Sequence, residues 1–234
     1  DDVLDSCRAH SWTSRCFAAE LWREFVSPTP DPAEVDRWAK VFRDAHYEVK
    51  PLLGTIFLSD AFWASANRAA LVKSPVDVVV GTLRTFEIHP VDLRPAAVAC
   101  AMLGQNLFAP RNVKGWPGGD AWIDSATLLG RRQFVDRVFR SADRAPRMHA
   151  MESEASMAAD KGQPGARLRR LMERGSGSYA FDDARWLATL APRESAREID
   201  HLVLATAAVD PVPASAAPAE RARSLVADPA YQLK

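Results

Sequence analysis

The chain has 234 residues, of which 47% are hydrophobic and 26% charged, a composition typical of a globular protein with a substantial core. Thirty basic residues balance thirty acidic ones. This neutrality argues against nucleic acid as a partner, because phosphate binding needs a basic surplus. No apolar run is long enough to cross a membrane, so no transmembrane segment is predicted. We predict a single helical domain over residues 1–234.

Two helix starts are readable in the first 45 residues. Ser11 is a candidate N-cap for a helix over residues 12–26, which two following prolines would end. Asp31 and Pro32 provide a cap and a first-turn proline for the next helix. Helical spacing predicts the core positions of the two helices as Phe17, Leu21, Trp22, Phe25, Val35, Trp38, Ala39 and Phe42.

Further helices are predicted over residues 49–58, 92–107 and 125–140, the last capped by Ser125. A Ser-Pro-x-Asp start at Ser74 opens another helix, to about residue 86. Its β-branched run would also suit a strand, but the start signal and the length favour a helix. The predicted inward positions of this helix are Val76, Val79, Val80 and Leu83.

The last hundred residues are less regular. Residues 141–165 have little hydrophobic period and are predicted to be a linker or excursion. Short helices are expected near residues 166–174, 182–190, 194–208 and 219–227. No alternating strand pattern of any length occurs. The predicted fold class is therefore all-α, an irregular multi-helix bundle with long ordered loops.

The most unusual segment comprises residues 104–122, called the 104–122 loop below. Its second half combines glycine, proline and two tryptophans with Asn, Lys and Asp. Glycine and proline permit turns that other residues resist, and the large apolar area of tryptophan is costly to leave in water. The loop is therefore predicted to fold onto the domain or onto something else.

Two interpretations of the 104–122 loop remain open. In the first, it is a packed connector in which Trp116 and Trp122 fill the core. In the second, Gln105, Asn112 and Lys114 surround a polar or sugar-like ligand stacked on tryptophan. The order of Lys114 and the glycine after it is wrong for a P-loop, and no strand precedes the loop as a dinucleotide fingerprint requires. No cofactor is predicted.

Two basic residues flank the helix that Ser74 begins. Lys73 precedes the helix N-terminus, where the helix dipole disfavours a cation, and Arg84 lies near the other end. The position of Lys73 suggests a partner carboxylate or a ligand anion; a solvated lysine with a long apolar stem is the alternative. Arginine-rich stretches at residues 131–147 and 167–174 are interpreted as solvated helix faces or as a patch for an anionic partner.

No other cluster matches a catalytic or metal motif. Three cysteines, Cys7, Cys16 and Cys100, are an odd number, so no disulfide scaffold is expected and buried thiols are predicted. Metal sites lack the spacing of known sites, whether they are built from Cys7, His10 and Cys16 or from Asp120, Asp124, Asp182 and Asp183. No Gly-x-Ser-x-Gly elbow is present. We therefore predict no metal, and the catalytic residues stay undefined.

Four segments have a distinctive order and spacing: FAAELWREFV at residues 17–26, VKSPVDVVVGTLR at residues 72–84, the 104–122 loop, and the ending DPAYQLK at residues 228–234. In these segments the chain resembles the C-terminal half of the bacterial domain-of-unknown-function 1800 family. Residues 141–218 resemble nothing that we can name. The resemblance implies a helical fold, an upstream helical half, and an extracytoplasmic location, periplasmic or secreted. It implies no activity and no catalytic residue.

Two functional hypotheses result. The favoured one is a helical module with a binding or assembly role, whose partner is another protein or the upstream half of the same protein. The alternative is an enzyme that acts on a polar or carbohydrate-like substrate at the 104–122 loop. There Gln105 and Asn112 would orient hydroxyl groups, while Lys114 would supply positive charge and Trp116 would stack on the substrate.

Overall fold

The computed structural model describes residues 2–140, 181–190 and 195–234. In these residues the protein has eleven α-helices and no strand, so the predicted all-α class is confirmed. An isolated antiparallel bridge joins Val72 to Leu233. The helices are α1 (Asp2–Ala9), α2 (Ser11–Phe25), α3 (Pro32–Asp44), α4 (Val49–Phe57), α5 (Asp60–Trp63), α6 (Pro75–Thr85), α7 (Arg94–Met102), α8 (Ser125–Arg140), α9 (Asp183–Leu190), α10 (Ala196–Val203) and α11 (Pro218–Ala227). Within this part of the chain, no helix is both long and apolar enough to cross a membrane.

Contacts between Cα atoms divide the chain into two compact units. The first comprises residues 1–72 and 233–234, and the second comprises residues 73–232. That the whole chain acts as a single domain stays a prediction. The linker predicted over residues 141–165 and the helix predicted near residues 166–174 lie outside the described residues.

The first unit has an aromatic core formed by α2, α3 and α4. The rings of Trp22 and Trp38 lie 5.0 Å apart, and the Trp22 indole N–H donates to Ser27 Oγ at 2.9 Å. Helix α3 begins as predicted, because the Asp31 carboxylate accepts two backbone N–H groups of the first turn. The predicted core positions of α3 are all buried, namely Val35, Trp38, Ala39 and Phe42.

Three expectations for the first unit are wrong. Phe17, a predicted core position, is 39% exposed, although its ring stacks on Phe42 at 4.8 Å. Helix α2 is capped by His10 rather than by Ser11, since His10 Nδ1 accepts the backbone N–H of Trp12 at 3.2 Å. A histidine ring here replaces the usual hydroxyl cap, and the helix begins one residue earlier than expected. Cys7 and Cys16 are free and exposed instead of buried, because neither lies on a core-facing helix stripe.

The second unit is organised around α6, whose start is the predicted capping box. Ser74 Oγ accepts the Asp77 backbone N–H at 3.2 Å, and the Asp77 carboxylate accepts the Ser74 N–H at 2.9 Å. The predicted inward position Val80 is 40% exposed, whereas Thr82 is buried. Thr82 was missed because it is polar, but its hydroxyl donates to the Val78 carbonyl. The buried face of α6 consists of Pro75, Val78, Val79, Thr82 and Leu83.

Two later helices, α8 and α9, are capped by aspartates, so the predicted Ser125 cap of α8 is wrong. Asp124 accepts the Thr127 backbone N–H at 2.7 Å at the start of α8, and this hydrogen bond is the main cause of the lowered pKa of Asp124. Asp182 accepts the Arg185 N–H at 2.9 Å at the start of α9. Two carboxylates that the sequence offers as metal ligands therefore act as helix caps.

Two helices are shorter than predicted. Helix α7 ends at Met102 rather than near residue 107, because Gly104 adopts a left-handed conformation with φ of 103° that terminates the helix. Helix α10 begins with a capping box between Ser195 and Glu198 and ends at Val203, before the predicted residue 208. The early end of α7 frees the first residues of the 104–122 loop to contact α6.

Candidate functional site

The 104–122 loop is anchored at both ends to the second unit. At its start, Gln105 Oε1 accepts the Val76 backbone N–H in the first turn of α6 at 3.0 Å. At its end, a 3-10 helix (Gly119–Trp122) buries Trp122 and places the Trp122 carbonyl 3.4 Å from an Arg131 nitrogen, Nη2. Gln105 and Trp122 therefore hold the loop on the helical scaffold.

The middle of the loop is organised by a local turn. Asn112 Oδ1 accepts the backbone N–H of Lys114 at 2.9 Å, and the side chains of both residues are exposed. Trp116 is partly buried. The side-chain amides of Gln105 and Asn112 are both predicted to bind a ligand. In the structure, the first accepts a hydrogen bond from the Val76 backbone and the second from the Lys114 backbone.

Apolar side chains of the loop are exposed to solvent. We call Leu107, Phe108 and Val113 the apolar tip. Leu107 is 43% exposed, Phe108 is 97% exposed and Val113 is fully exposed. Phe108 also has a left-handed backbone with φ of 63°. This conformation is unfavourable for a residue with a bulky side chain, because its Cβ approaches the following carbonyl oxygen.

A second group of polar residues meets at the N-terminus of α6. We call Lys73, Asp77, Arg131, Tyr231 and Gln232 the Lys73 cluster. The Lys73 ammonium lies 3.8 Å from the centre of the Tyr231 ring. Gln232 connects the two cations, since its carbonyl accepts the Lys73 backbone N–H at 2.8 Å and its side-chain Oε1 accepts from Arg131 Nη1 at 3.1 Å.

Burial dominates the electrostatics of this cluster. It lowers the pKa of Lys73 to about 8, an effect that the charge of Asp77 opposes and the charge of Arg131 reinforces. Burial also lowers the pKa of Arg131, again opposed by Asp77. Tyr231 is buried, and its hydroxyl donates to Thr82 Oγ1 at 2.8 Å, because the Thr82 proton is used on Val78. Burial raises the pKa of Tyr231 to about 12. The tyrosine therefore stays neutral beside the lysine.

Arg131 is fully buried, yet it is incompletely bonded within the described residues. Its two terminal nitrogens donate to neutral oxygens, those of Gln232 and Trp122, and the second of these contacts is long at 3.4 Å. The Nε atom has no hydrogen-bond partner in this part of the protein. A buried guanidinium normally uses all of its donors.

Arg131, Tyr231 and Gln232 are the site residues that sequence reasoning missed. Arg131 belongs to a stretch interpreted as solvated, but it is followed at helical spacing by buried Phe134, Val135 and Val138. This spacing of three, four and seven residues places it on the core face of α8, and could have identified it. Arg84 is exposed near the far end of α6, roughly 16 Å along the helix axis from Lys73.

The cysteine-containing N-terminal region is a weaker candidate. A shallow pocket of about 460 Å³ on the first unit is lined by Asp2, Val3, Ser6, Cys7, His10 and Thr13. Among the described residues, no three His, Cys, Asp or Glu side chains lie together in a way that could hold a metal ion. The third thiol, Cys100, is buried, and burial raises its pKa to about 11, so it is predominantly protonated at neutral pH.

The described residues thus define an all-α protein in which Arg131 is buried and Lys73 partly buried beside a loop with an exposed apolar tip. The sequence model of the family described as "Protein of unknown function (DUF1800)" matches residues 1–233, and the chain belongs to this family. The match includes residues 141–218, where the sequence alone suggested no resemblance. No curated protein and no solved structure matches the chain. Residues from three of the four family-like segments meet at or beside the Lys73 cluster.

Proposed function

We propose that the protein is a helical binding module and that the apolar tip of the 104–122 loop contacts a protein partner. The observation that carries this proposal is Phe108, which combines an almost fully exposed side chain with a left-handed backbone. The backbone conformation costs about 1–2 kcal/mol and the exposed ring leaves a large apolar area in water. An apolar partner surface that covers the tip would offset both costs.

The anchoring of the loop supports recognition. Gln105 and Trp122 fix its two ends, and the turn at Asn112 shapes its middle. A loop that is ordered before binding loses less conformational entropy when it meets a partner. Recognition residues on loops held by a rigid scaffold are common among binding proteins.

Site-specific photo-crosslinking in the organism of origin tests the proposal. A photoreactive residue at position 108 is expected to capture one dominant protein. The same group at Leu58, which is 86% exposed in the first unit, should not capture that protein. Val113→Ser should reduce the yield from position 108 at least fivefold. Identical capture profiles from the two positions would contradict a binding role for the tip.

An enzyme that acts on a polar or carbohydrate-like substrate at the loop is the second candidate. It is favoured by the partly buried Trp116, which shares the loop with the exposed Asn112 and Lys114. The amide oxygens of Asn112 and Gln105 accept bonds within the chain, so their NH2 groups would be the ones to bind substrate hydroxyls.

The enzyme hypothesis has a separate test. Thermal unfolding of the wild type across a panel of metabolites and glycans should reveal a stabilising ligand whose effect is lost in Lys114→Ala and Asn112→Ala. Phe108→Ser is the control, because the apolar tip has no part in this mechanism. If the ligand-induced shifts are the same in all of these variants, no substrate site exists around Asn112 and Lys114.

A further inference from the structure

The Lys73 cluster holds more positive charge than its described carboxylate neutralises. Both Lys73 and Arg131 interact with the charge of Asp77, and the two cations repel each other. The Asp77 carboxylate also accepts the Ser74 backbone N–H. Charged groups removed from water are costly unless they are paired and hydrogen-bonded, so this arrangement needs an explanation.

The cluster also contains hydrogen-bond donors that have no acceptor among the described residues. Within the described residues, the Lys73 ammonium lies against the face of the Tyr231 ring, which accepts no conventional hydrogen bond, and Arg131 Nε is buried without a partner. Lys73 is only partly buried, whereas Arg131 is fully buried. An incoming acceptor would therefore reach Lys73 before Arg131.

Helix α6 adds to the positive potential but supplies no free donor. Its first turn begins beside Lys73, where the helix dipole is positive. The N–H groups of that turn are already used: Gln105 accepts from Val76, Ser74 accepts from Asp77, and Pro75 has no N–H. Any anion bound here is therefore held by side chains, with the helix contributing only its field.

We infer that the Lys73 cluster binds an oxyanion, namely the carboxylate or phosphate group of a small molecule, with the Lys73 ammonium as its direct contact and Arg131 as its second cation. Lysine offers a compact charge and arginine a planar donor group, and both suit carboxylate and phosphate oxygens. This site is separate from the apolar tip and does not rest on the proposed binding function.

Anion titrations of the full chain test this inference. Thermal unfolding at pH 7 is followed while inorganic phosphate or malonate replaces chloride at constant ionic strength. At least one of the two oxyanions should raise the melting temperature in a saturable manner, and their relative affinities show whether the site prefers phosphate or carboxylate. If neither oxyanion stabilises the protein more than chloride does, the inference is wrong.

Charge-matched variants locate the effect. Lys73→Met should weaken the apparent affinity for the oxyanion at least tenfold, and Lys73→Arg should retain it within about threefold. Lys114→Met and Arg132→Met remove the same charge from exposed positions and should change the affinity less than twofold. Equal weakening by Lys73→Met and Lys114→Met would show only a general charge effect and would overturn the assignment.

The pH dependence gives an independent readout that does not depend on the buried Arg131. Among the described residues, the charged or titratable groups that affect Lys73 are Asp77, Arg131 and the ring of Tyr231. Because the pKa of Lys73 is about 8, raising the pH from 7 to 9 should weaken binding by the wild type roughly tenfold. In Lys73→Arg the same change should weaken binding much less, and parallel pH profiles would contradict the site.

Discussion

Two buried arginines of the second unit have very different surroundings. Arg221 on α11 places its Nε and Nη2 against the two oxygens of Asp200 at 2.7 and 2.6 Å, and its Nη1 donates to two loop carbonyls. Arg131 on α8 donates to two neutral oxygens, those of Gln232 and Trp122, and its Nε has no hydrogen-bond partner in the described structure. The Asp200 hydrogen bond raises the pKa of Arg221, whereas burial lowers that of Arg131.

This difference shows how a fully bonded buried cation differs from an incompletely bonded one in this fold. Around Arg221 the chain supplies a bidentate carboxylate and enough carbonyls to satisfy the guanidinium. Around Arg131 it supplies a shared carboxylate and a second cation, Lys73. The Arg131 region also contains the anchors of the 104–122 loop. The residues that we propose to bind an anion therefore lie where the chain leaves its own bonding incomplete.

The largest expected effect on stability comes from breaking the ion pair between Arg221 and Asp200. Asp200→Ala leaves the Arg221 charge buried without its carboxylate, and we expect a loss of about 2–3 kcal/mol in the free energy of unfolding. This is below the usual range for fully buried pairs because the Asp200 side chain is 37% exposed. Urea unfolding measures the loss. The control is Glu20→Ala, which breaks an exposed pair with Arg23 and should cost less than about 1 kcal/mol.

The next largest effect concerns how Lys73 makes the free energy of unfolding depend on pH. Folding lowers the pKa of Lys73 from 10.5 to about 8, so between these values the unfolded chain binds more protons and stability rises with pH. Between pH 8 and pH 10, the free energy of unfolding of the wild type should increase by about 2 kcal/mol more than that of Lys73→Met. The raised pKa of Cys100 acts in the opposite direction above pH 9, and Cys100→Ala in both backgrounds removes that contribution. A difference that is flat with pH would contradict the burial of the Lys73 ammonium.

Removing Arg131 should have a smaller effect than removing a comparable structural cation. Arg131→Met replaces a desolvated charge with an apolar chain of similar length, and the free energy of unfolding should change by no more than about 1 kcal/mol. Arg221→Met, which discards a carboxylate pair and several other bonds, is the matched comparison and should cost more. If urea unfolding shows equal losses, Arg131 is as fully integrated into the fold as Arg221, and the contrast between them is wrong.

The fold could be predicted from sequence where local signals determine it. The caps at Asp31 and Ser74 and the apolar spacing of α3 gave helices at the right places because these signals act within a few residues. Helix phase was less certain on α6, where the buried Thr82 was missed. Its polarity is satisfied by Val78 and Tyr231, and the second partner lies 149 residues away.

The site was harder to predict because it depends on contacts between distant segments. Lys73 was recognised as unusual from its position before a helix, which is a local signal. Its neighbours Arg131 and Tyr231 lie far along the chain, and only the tertiary fold brings them together. For Arg131 the residue type suggested solvent while the helical spacing indicated the core, and the spacing was correct.

The smallest expected change concerns the left-handed backbone at Phe108 in the 104–122 loop. Phe108→Gly should raise the free energy of unfolding by about 0.5–1 kcal/mol, because glycine adopts a positive φ without a Cβ conflict. Glu87→Gly is the matched control: Glu87 is also exposed and left-handed, with φ of 50°, but lies at the end of α6 away from the loop. Both variants should be stabilised, yet only Phe108→Gly should lose partner capture, measured by crosslinking from position 113. If Phe108→Gly is stabilised and captures the partner as well as the wild type does, the exposed ring has no binding role. The incompletely bonded groups of the Lys73 cluster would then be the remaining candidates for binding in this region.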